Sequence, residues 1–323
     1  MPWWPWARRI VGLVFFLLVA WLVAGQARSI AWGGVWTSLR AIPGHVLGLA
    51  ALFACLTYAV YCQFDLIGRH CSGHRLARRR VLLVTFISYA FNLNLGTLVG
   101  GVAFRYRLYG RFGLQGGQIA HVTALSMLTN WIGYCLLAGC VFLAWPPPLP
   151  PQWEMGAIDT RWLGALALAI AASYLGLCAW RGGRELVVAG RSVPIPGWRL
   201  ALLQLAISSL HWSLMASIIF VLLQGMAPYP TVLATLLVAA IAGVIAHVPA
   251  GLGVTEAVFV ALMGHLVPHG PLLAALLGYR AVYYIAPLLL ATLAYLAVEW
   301  RRRRGLAGEA EADATKHRFS NTP

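Results

Sequence analysis

The sequence predicts an all-α polytopic membrane protein: about six full transmembrane helices plus two opposed re-entrant helical hairpins, drawn from eight apolar segments. Composition is the first observation behind this. Of 323 residues, 60% are hydrophobic and 10% charged, with a mean hydropathy of +0.75. A soluble domain of this length needs a larger polar fraction to cover its surface. The second observation is a series of apolar runs, several near or above the roughly 20 residues that cross a bilayer as a helix. The third is the placement of the arginines, which cluster between those runs.

The runs are 10–24, 45–67, 81–103, 118–144, 162–180, 200–224, 231–267 and 272–298. The first, behind Arg8 and Arg9 and ending in small residues near Ala27, has the pattern of a signal peptide. Because everything downstream is also apolar, it is expected to stay as an anchor. Run 81–103 is interrupted by FNLNLGTLVGG, where Asn92 and Asn94 are polar and Gly96, Gly100 and Gly101 are flexible. Residues 145–161 form a Pro-rich loop with aromatic residues suited to the membrane interface. Run 231–267 contains AHVPAGLGVTEAV, in which Pro249, Gly251 and Gly253 break the helix. Residues 1–304 read as a single transmembrane domain, and 305–323 as a polar, disordered cytoplasmic tail.

Charge sets the expected orientation. If all eight runs crossed the membrane from a cytoplasmic N-terminus, Arg105, Arg107 and Arg111 would face outward, as would Arg181, Arg184, Arg191 and Arg199. That violates the positive-inside rule twice. Both violations vanish if 81–103 enters and leaves on the cytoplasmic face and 231–267 does the same on the opposite face. Both termini are then cytoplasmic, and 20 of the 24 Lys and Arg residues face inward. Backbone turning at membrane depth is tolerated where other helices bury it or where it lines a cavity. Opposed hairpins suggest inverted-topology halves with a site near the midplane.

Several functions are excluded or left without support. The net charge of +15 is spread over short inter-helix loops, so no nucleic-acid partner is expected. The six cysteines are scattered and read as small buried hydrophobes. His70, Cys71 and His74 lack a second cluster at ligand spacing, so no metal or other cofactor is expected. No HExxH, GxSxG, Walker loop or paired carboxylates occur, so the chain is read as a non-enzyme without ATP chemistry.

Of nine acidic residues, Glu256 alone lies well inside an apolar run; Asp65 and Glu299 sit at helix ends, within expected reach of water. An isolated carboxylate in hydrocarbon costs about 2.5–3.5 kcal/mol on insertion scales, so it should pair or face a cavity. The available cation is Arg280, in LLGYRAVYYIAP. Two readings of this couple stand: a substrate site in which Arg280 grasps an anionic headgroup, or an ion pair that pins the hairpin to the last helix. Asn94 and His247 are further polar candidates beside the two breaks, and His211 and the set His121, Thr123, Ser126 and Asn130 are polar positions on helices. Arg105, Tyr106 and Arg107, just after the first hairpin, suit lipid phosphates at the cytoplasmic interface.

The stretches YAFNLNLGTLVGGVAFRYRLYGRFGL, LTNWIGYCLLAG, IAGVIAHVPAGLGVTEAVFVAL and YRAVYYIAPLLLA resemble the lysylphosphatidylglycerol synthase transmembrane-region family. The similarity runs from about residue 8 to 300 and is greatest to stand-alone inner-membrane members from Gram-negative bacteria. It implies Gly100, Gly101, Arg105, Tyr106, Arg107, Pro249, Gly251, Gly253, Glu256 and Arg280 as characteristic positions. It also implies that translocation of a phospholipid carries over, while lipid synthesis, which belongs to a separate soluble domain in bifunctional members, does not. The expectation is an inner-membrane flippase-like protein for an anionic glycerophospholipid, partnered by its lipid and by a second copy or an envelope lipid enzyme. A non-transporting scaffold and a small-solute transporter are the alternatives.

Overall fold

A computed structural model describes residues 37–147, 157–183, 185–188, 191–246 and 251–300. The run 10–24, the tail, His247 and Pro249 lie outside the described residues. The first described long helix, α1 (Gly44–Cys71), starts behind Pro43, whose fixed φ suits a helix entry. At 28 residues it is about 42 Å long, more than the hydrocarbon core of a bilayer. It stops where Ser72 folds its hydroxyl onto the Gly68 carbonyl (2.7 Å) and Gly73 takes a positive φ.

Helix α2 (Arg78–Leu95) follows and ends at Gly96, with φ +82°. That left-handed conformation is open to glycine at little steric penalty. The chain reverses there, runs as a π-helical segment through Thr97–Ala103, and continues as α3 (Phe104–Arg111). The return arm lies tightly on α2: the Phe91 and Phe104 rings stack at 4.1 Å. A Cβ on Gly100 would fall 2.2 Å from the Phe91–Asn92 backbone, so only glycine admits this approach.

Next come α4 (Gly116–Ala144), capped by Gln118 reaching back to the Gln115 N–H, and α5 (Ala157–Arg181). A two-stranded antiparallel hairpin, β1 (Glu185–Val188) and β2 (Arg191–Pro194), joins α5 to α6 (Trp198–Leu222), pairing Val188 with Arg191. It is a small departure from the all-α expectation. Helix α7 (Tyr229–Ala246) is followed by α8 (Val254–Met263), which packs back along it. The last helix, α9 (His269–Trp300), carries a π-helical turn at Arg280–Ile285.

Six of these helices are long and apolar enough to cross a membrane: α1, α4, residues Thr160–Arg181 of α5, α6, α7 and α9. Five coincide with expected spans. The sixth, α7, is the first arm of the expected second hairpin; α8, with ten residues, is its short second arm. The order helix, reversal, helix thus occurs twice, as α1, α2–α3, α4 and as α6, α7–α8, α9. The two leading helices, α1 and α6, pack on each other at the centre, with α4 against both.

Exposed tryptophans mark both ends of the bundle. Trp145 and Trp162 flank the α4–α5 connection, and Trp180, Trp198 and Trp300 sit at the opposite end. Guanidinium groups of Arg181 and Arg199 lie over Trp180 and Trp198. Rings at the two interfaces match the usual membrane arrangement.

Candidate functional site

The second reversal is built around one carboxylate. Gly251 and Gly253 take positive φ (55° and 78°), which turns the chain into α8. Glu256, in the first turn of α8, accepts the Gly253 N–H at 3.0 Å and so satisfies a helix-end donor. Arg280 faces it from α9, giving Nε to one carboxylate oxygen and Nη2 to the other, the latter at 2.9 Å. The same Nη2 donates to the Gly251 carbonyl at 3.0 Å, and the guanidinium lies 5.3 Å from the Tyr284 ring centre. Bidentate geometry plus a main-chain contact makes this a fixed clamp between the hairpin tip and the last helix. Arg280 begins the π-helical turn, where one extra residue per turn re-aims the side chains that follow.

The first reversal has a parallel device that differs from expectation. Asp65, expected near water at the end of α1, is completely buried, and so is Arg105. Arg105 gives Nε to Asp65 Oδ2 (3.0 Å) and Nη2 to Oδ1 (2.9 Å), while Nη1 donates to the Gly101 carbonyl (3.0 Å) and Nη2 reaches Ser126 Oγ (3.3 Å). Tyr109 donates its hydroxyl to Asp65 as well (2.8 Å). Arg105 is therefore locked inside the protein and not at the lipid interface where the sequence placed it. The physical reason is its phase: α3 packs on α2 and α4, and residue 105 falls on the face with Leu108 and Tyr109, pointing inward. Its neighbours Tyr106 and Arg107 point outward, Tyr106 toward the Gly116 carbonyl and Arg107 over the Tyr295 ring. Asn94 donates to Ala90 O (2.8 Å) and to Tyr284 O (3.3 Å), which ties the first hairpin to α9.

A cavity of about 580 Å³ separates the two reversals. Leu95, Gly96, Thr97, Leu98 and Val99 enter it from the first tip, and Gly243, Val244, Gly251 and Thr255 from the second. The rim is apolar and exposed, most of all at Leu98, Val99 and Val244. Deeper inside stand Tyr61, Tyr89, Asn92, Asn130, His211 and Tyr279 with Trp131 and Trp212. No Asp, Glu, Lys or Arg among the described residues lines it. Glu256 and Arg280 stand directly behind Gly251 and Tyr284. Gly100 and Gly101 are buried between α2, its return arm and Arg105, outside the lining.

A buried hydrogen-bond chain forms the floor. His211 Nδ1 faces the Thr57 carbonyl at 3.3 Å, which can only accept, so Nδ1 carries the proton. In the neutral ring Nε2 then accepts from the Tyr89 hydroxyl at 3.0 Å. Tyr89 oxygen in turn accepts from the Tyr283 hydroxyl at 2.8 Å, and Tyr58 donates to the Tyr283 carbonyl. Tyr61 stacks on Tyr89 at 3.5 Å. The chain crosses α1, α2, α6 and α9, so it holds both halves to one geometry.

A profile of the family described as the lysylphosphatidylglycerol synthase TM region matches residues 9–291. The chain belongs to that family. It is 44% identical over 304 residues to inner membrane protein YbhN of Escherichia coli K12, covering 94% of this chain and 96% of the relative. It is also 28% identical over 313 residues to the uncharacterized protein slr0712 of Synechocystis sp. PCC 6803, covering 95% and 97%. With six apolar helices of spanning length, this TM-region family member is a multi-pass membrane protein.

Within this family frame, three features escaped sequence reasoning. The Asp65–Arg105 pair joins residues 40 positions apart, and Tyr89 and Tyr283 look like ordinary apolar-run aromatics. The cavity itself is made by helices distant in sequence. The one legible signal was the recurrence of His211 and Asn130 as polar residues in long apolar runs, and both line the cavity.

Proposed function

We propose that this chain is a phospholipid translocase of the bacterial inner membrane, acting on an anionic glycerophospholipid without ATP hydrolysis. In this reading both hairpins are re-entrant, from opposite faces, and both termini are cytoplasmic. The observation that carries it is the cavity at which the two hairpin tips converge, with an exposed apolar rim and a polar interior. A headgroup is then sheltered inside while the acyl chains stay among Leu98, Val99 and Val244 at the rim. Arg280, one residue layer behind Gly251, supplies positive potential for the phosphate, and Glu256 balances it when the site is empty.

The test is translocation in proteoliposomes, with acyl-labelled anionic and zwitterionic lipids and with wild type beside folded Glu256→Ala and Arg280→Ala. Faster movement of the anionic lipid, lost in both variants, supports the reading. Movement no faster than in protein-free vesicles, under either sign of membrane potential, overturns it.

A further inference from the structure

We propose that the π-helical turn of α9 is a joint coupling the two hairpins, so that their tips tighten and loosen together, with Asn94 as the positioning residue on the first hairpin. Such coupling needs no transported lipid and stands apart from the translocase reading. The turn has a cause in the sequence RAVYYIAP, residues 280–287. Pro287 has no N–H, so in a regular α-helix the Tyr283 carbonyl, four residues earlier, would lack its main-chain donor. The chain instead forms a π turn over Arg280–Ile285, in which the Ala286 N–H bonds back to the Ala281 carbonyl. The Tyr58 hydroxyl of α1 donates to the Tyr283 carbonyl at 3.3 Å. Single π turns inside α-helices are rare and occur frequently at functional sites.

Both hairpins hold these six residues. From the first, the Tyr89 oxygen accepts from the Tyr283 hydroxyl at 2.8 Å. Asn94, two residues before the Gly96 reversal, donates to the Tyr284 carbonyl at 3.3 Å. From the second, Glu256 and the Gly251 carbonyl hold Arg280, whose guanidinium lies 5.3 Å from the Tyr284 ring centre. Tyr284 is thus held by one hairpin at its carbonyl and touched at its ring by the cation bound to the other. Arg280 opens the turn, while Tyr283 and Tyr284 lie near its end. Their relative direction about the helix axis therefore differs between a π and an α turn. Both grips fit the π form, so each stabilises the other.

Coupling between two sites requires an element with two arrangements that both sites bias. Here the two are the π turn and an α turn kinked at Pro287, and the proline leaves the α form short of one bond. Whatever draws Arg280 off Glu256 favours the α form, withdraws the Tyr284 carbonyl from Asn94 and loosens the first tip. Linkage requires the reverse effect with the same coupling free energy.

Hydrogen–deuterium exchange of the full chain in detergent micelles, resolved by peptide mass spectrometry, reads both tips at once. Asn94→Leu removes the donor to Tyr284 and should speed exchange at residues 251–256 by at least about fivefold, the lower end of ordinary coupling between sites. Glu256→Gln should do the same at residues 97–103. If that variant does not fold, Arg280→Lys replaces it, keeping the charge but losing the two-point contact. Asn94→Gln, which retains a carboxamide donor, should recover part of the protection. Gln204→Leu is the control: it breaks the chain from Tyr174 through Gln204 to Thr129 and should lower the melting temperature while leaving both tips as in wild type. Asn94→Leu combined with Glu256→Gln should speed exchange by less than the product of the single effects, because either change alone already releases the joint. Effects confined to each variant's own hairpin, or a double variant equal to that product, overturn the proposal. Equal acceleration in Gln204→Leu also overturns it, since tip exchange would then report only the stability of the bundle.

Discussion

Replacing Asp65 by asparagine should unfold the bundle more readily than any comparable change at the membrane ends. The substitution keeps the shape but removes the charge that faces Arg105. The guanidinium is 1% exposed and cannot reach water without moving α3. Two of its four hydrogen bonds go to Asp65, and the remaining two, to Gly101 O and Ser126 Oγ, bring no countercharge. Breaking a buried pair from one side costs about 3–5 kcal/mol. The carboxamide of Asp65→Asn retains one acceptor for Arg105, so the loss should fall near ~3 kcal/mol, roughly a hundredfold in the unfolding equilibrium. Arg105→Met, which strands the carboxylate with only Tyr109 donating to it, should fall near ~5 kcal/mol. The double variant Asp65→Leu with Arg105→Met removes both charges and takes from the Tyr109 hydroxyl its carboxylate acceptor and from the Gly101 carbonyl its guanidinium donor, a loss of about 1–3 kcal/mol. Equilibrium unfolding by SDS in mixed micelles, followed by tryptophan fluorescence, measures all three. Single variants within ~1 kcal/mol of wild type, or a double variant equal to the sum of the singles, would refute the buried-pair reasoning.

Four further outcomes follow from the geometry. Gly100→Ala should lower the melting temperature sharply, because its Cβ meets backbone at 2.2 Å, while Gly116→Ala, with open space around it, should leave it unchanged. Arg111→Ala should matter little, since its pair with Glu299 is part-exposed at the membrane end, and a loss above about 1 kcal/mol would contradict that. Tyr89→Phe strands His211 Nε2 and the Tyr283 hydroxyl together, so it should lose about 1–3 kcal/mol in the same unfolding assay. His74, in the α1–α2 loop, is held below its ordinary value of 6.5 by burial and then by Arg69, against a weaker pull from Asp65. Its Nδ1 accepts the Leu76 N–H, so the folded protein prefers the neutral ring. The unfolded chain takes up this proton first, so stability should fall as pH drops below about 6.5, and His74→Gln should flatten that slope.

The two halves of the candidate site differed in how readable they were. Glu256 and Arg280 stood out because a charge in an apolar run needs a partner, and few partners exist in such a chain. Asp65 and Arg105 carry the same chemistry but lie next to arginine-rich loops, where charge is ordinary. Only the packing of α3 against α2 and α4 turns residue 105 inward. The turn positions divide similarly. Glycine at 96, 251 and 253 was legible as a break, whereas the role of Gly100 as a contact surface depends on where the return arm lies.

Taken by itself, the amino-acid sequence determines that this chain lives in a membrane, where its apolar segments run, and where the backbone turns. Those properties follow from hydrophobic length and from the conformational preferences of glycine and proline, which are local. The cavity, the inward Arg105 and the chain from His211 through Tyr89 to Tyr283 were decided by tertiary structure alone. They join α1, α2, α6 and α9 across separations of up to 225 residues. At that distance the pairing is set by which helix faces meet, and no periodicity within a single helix records it.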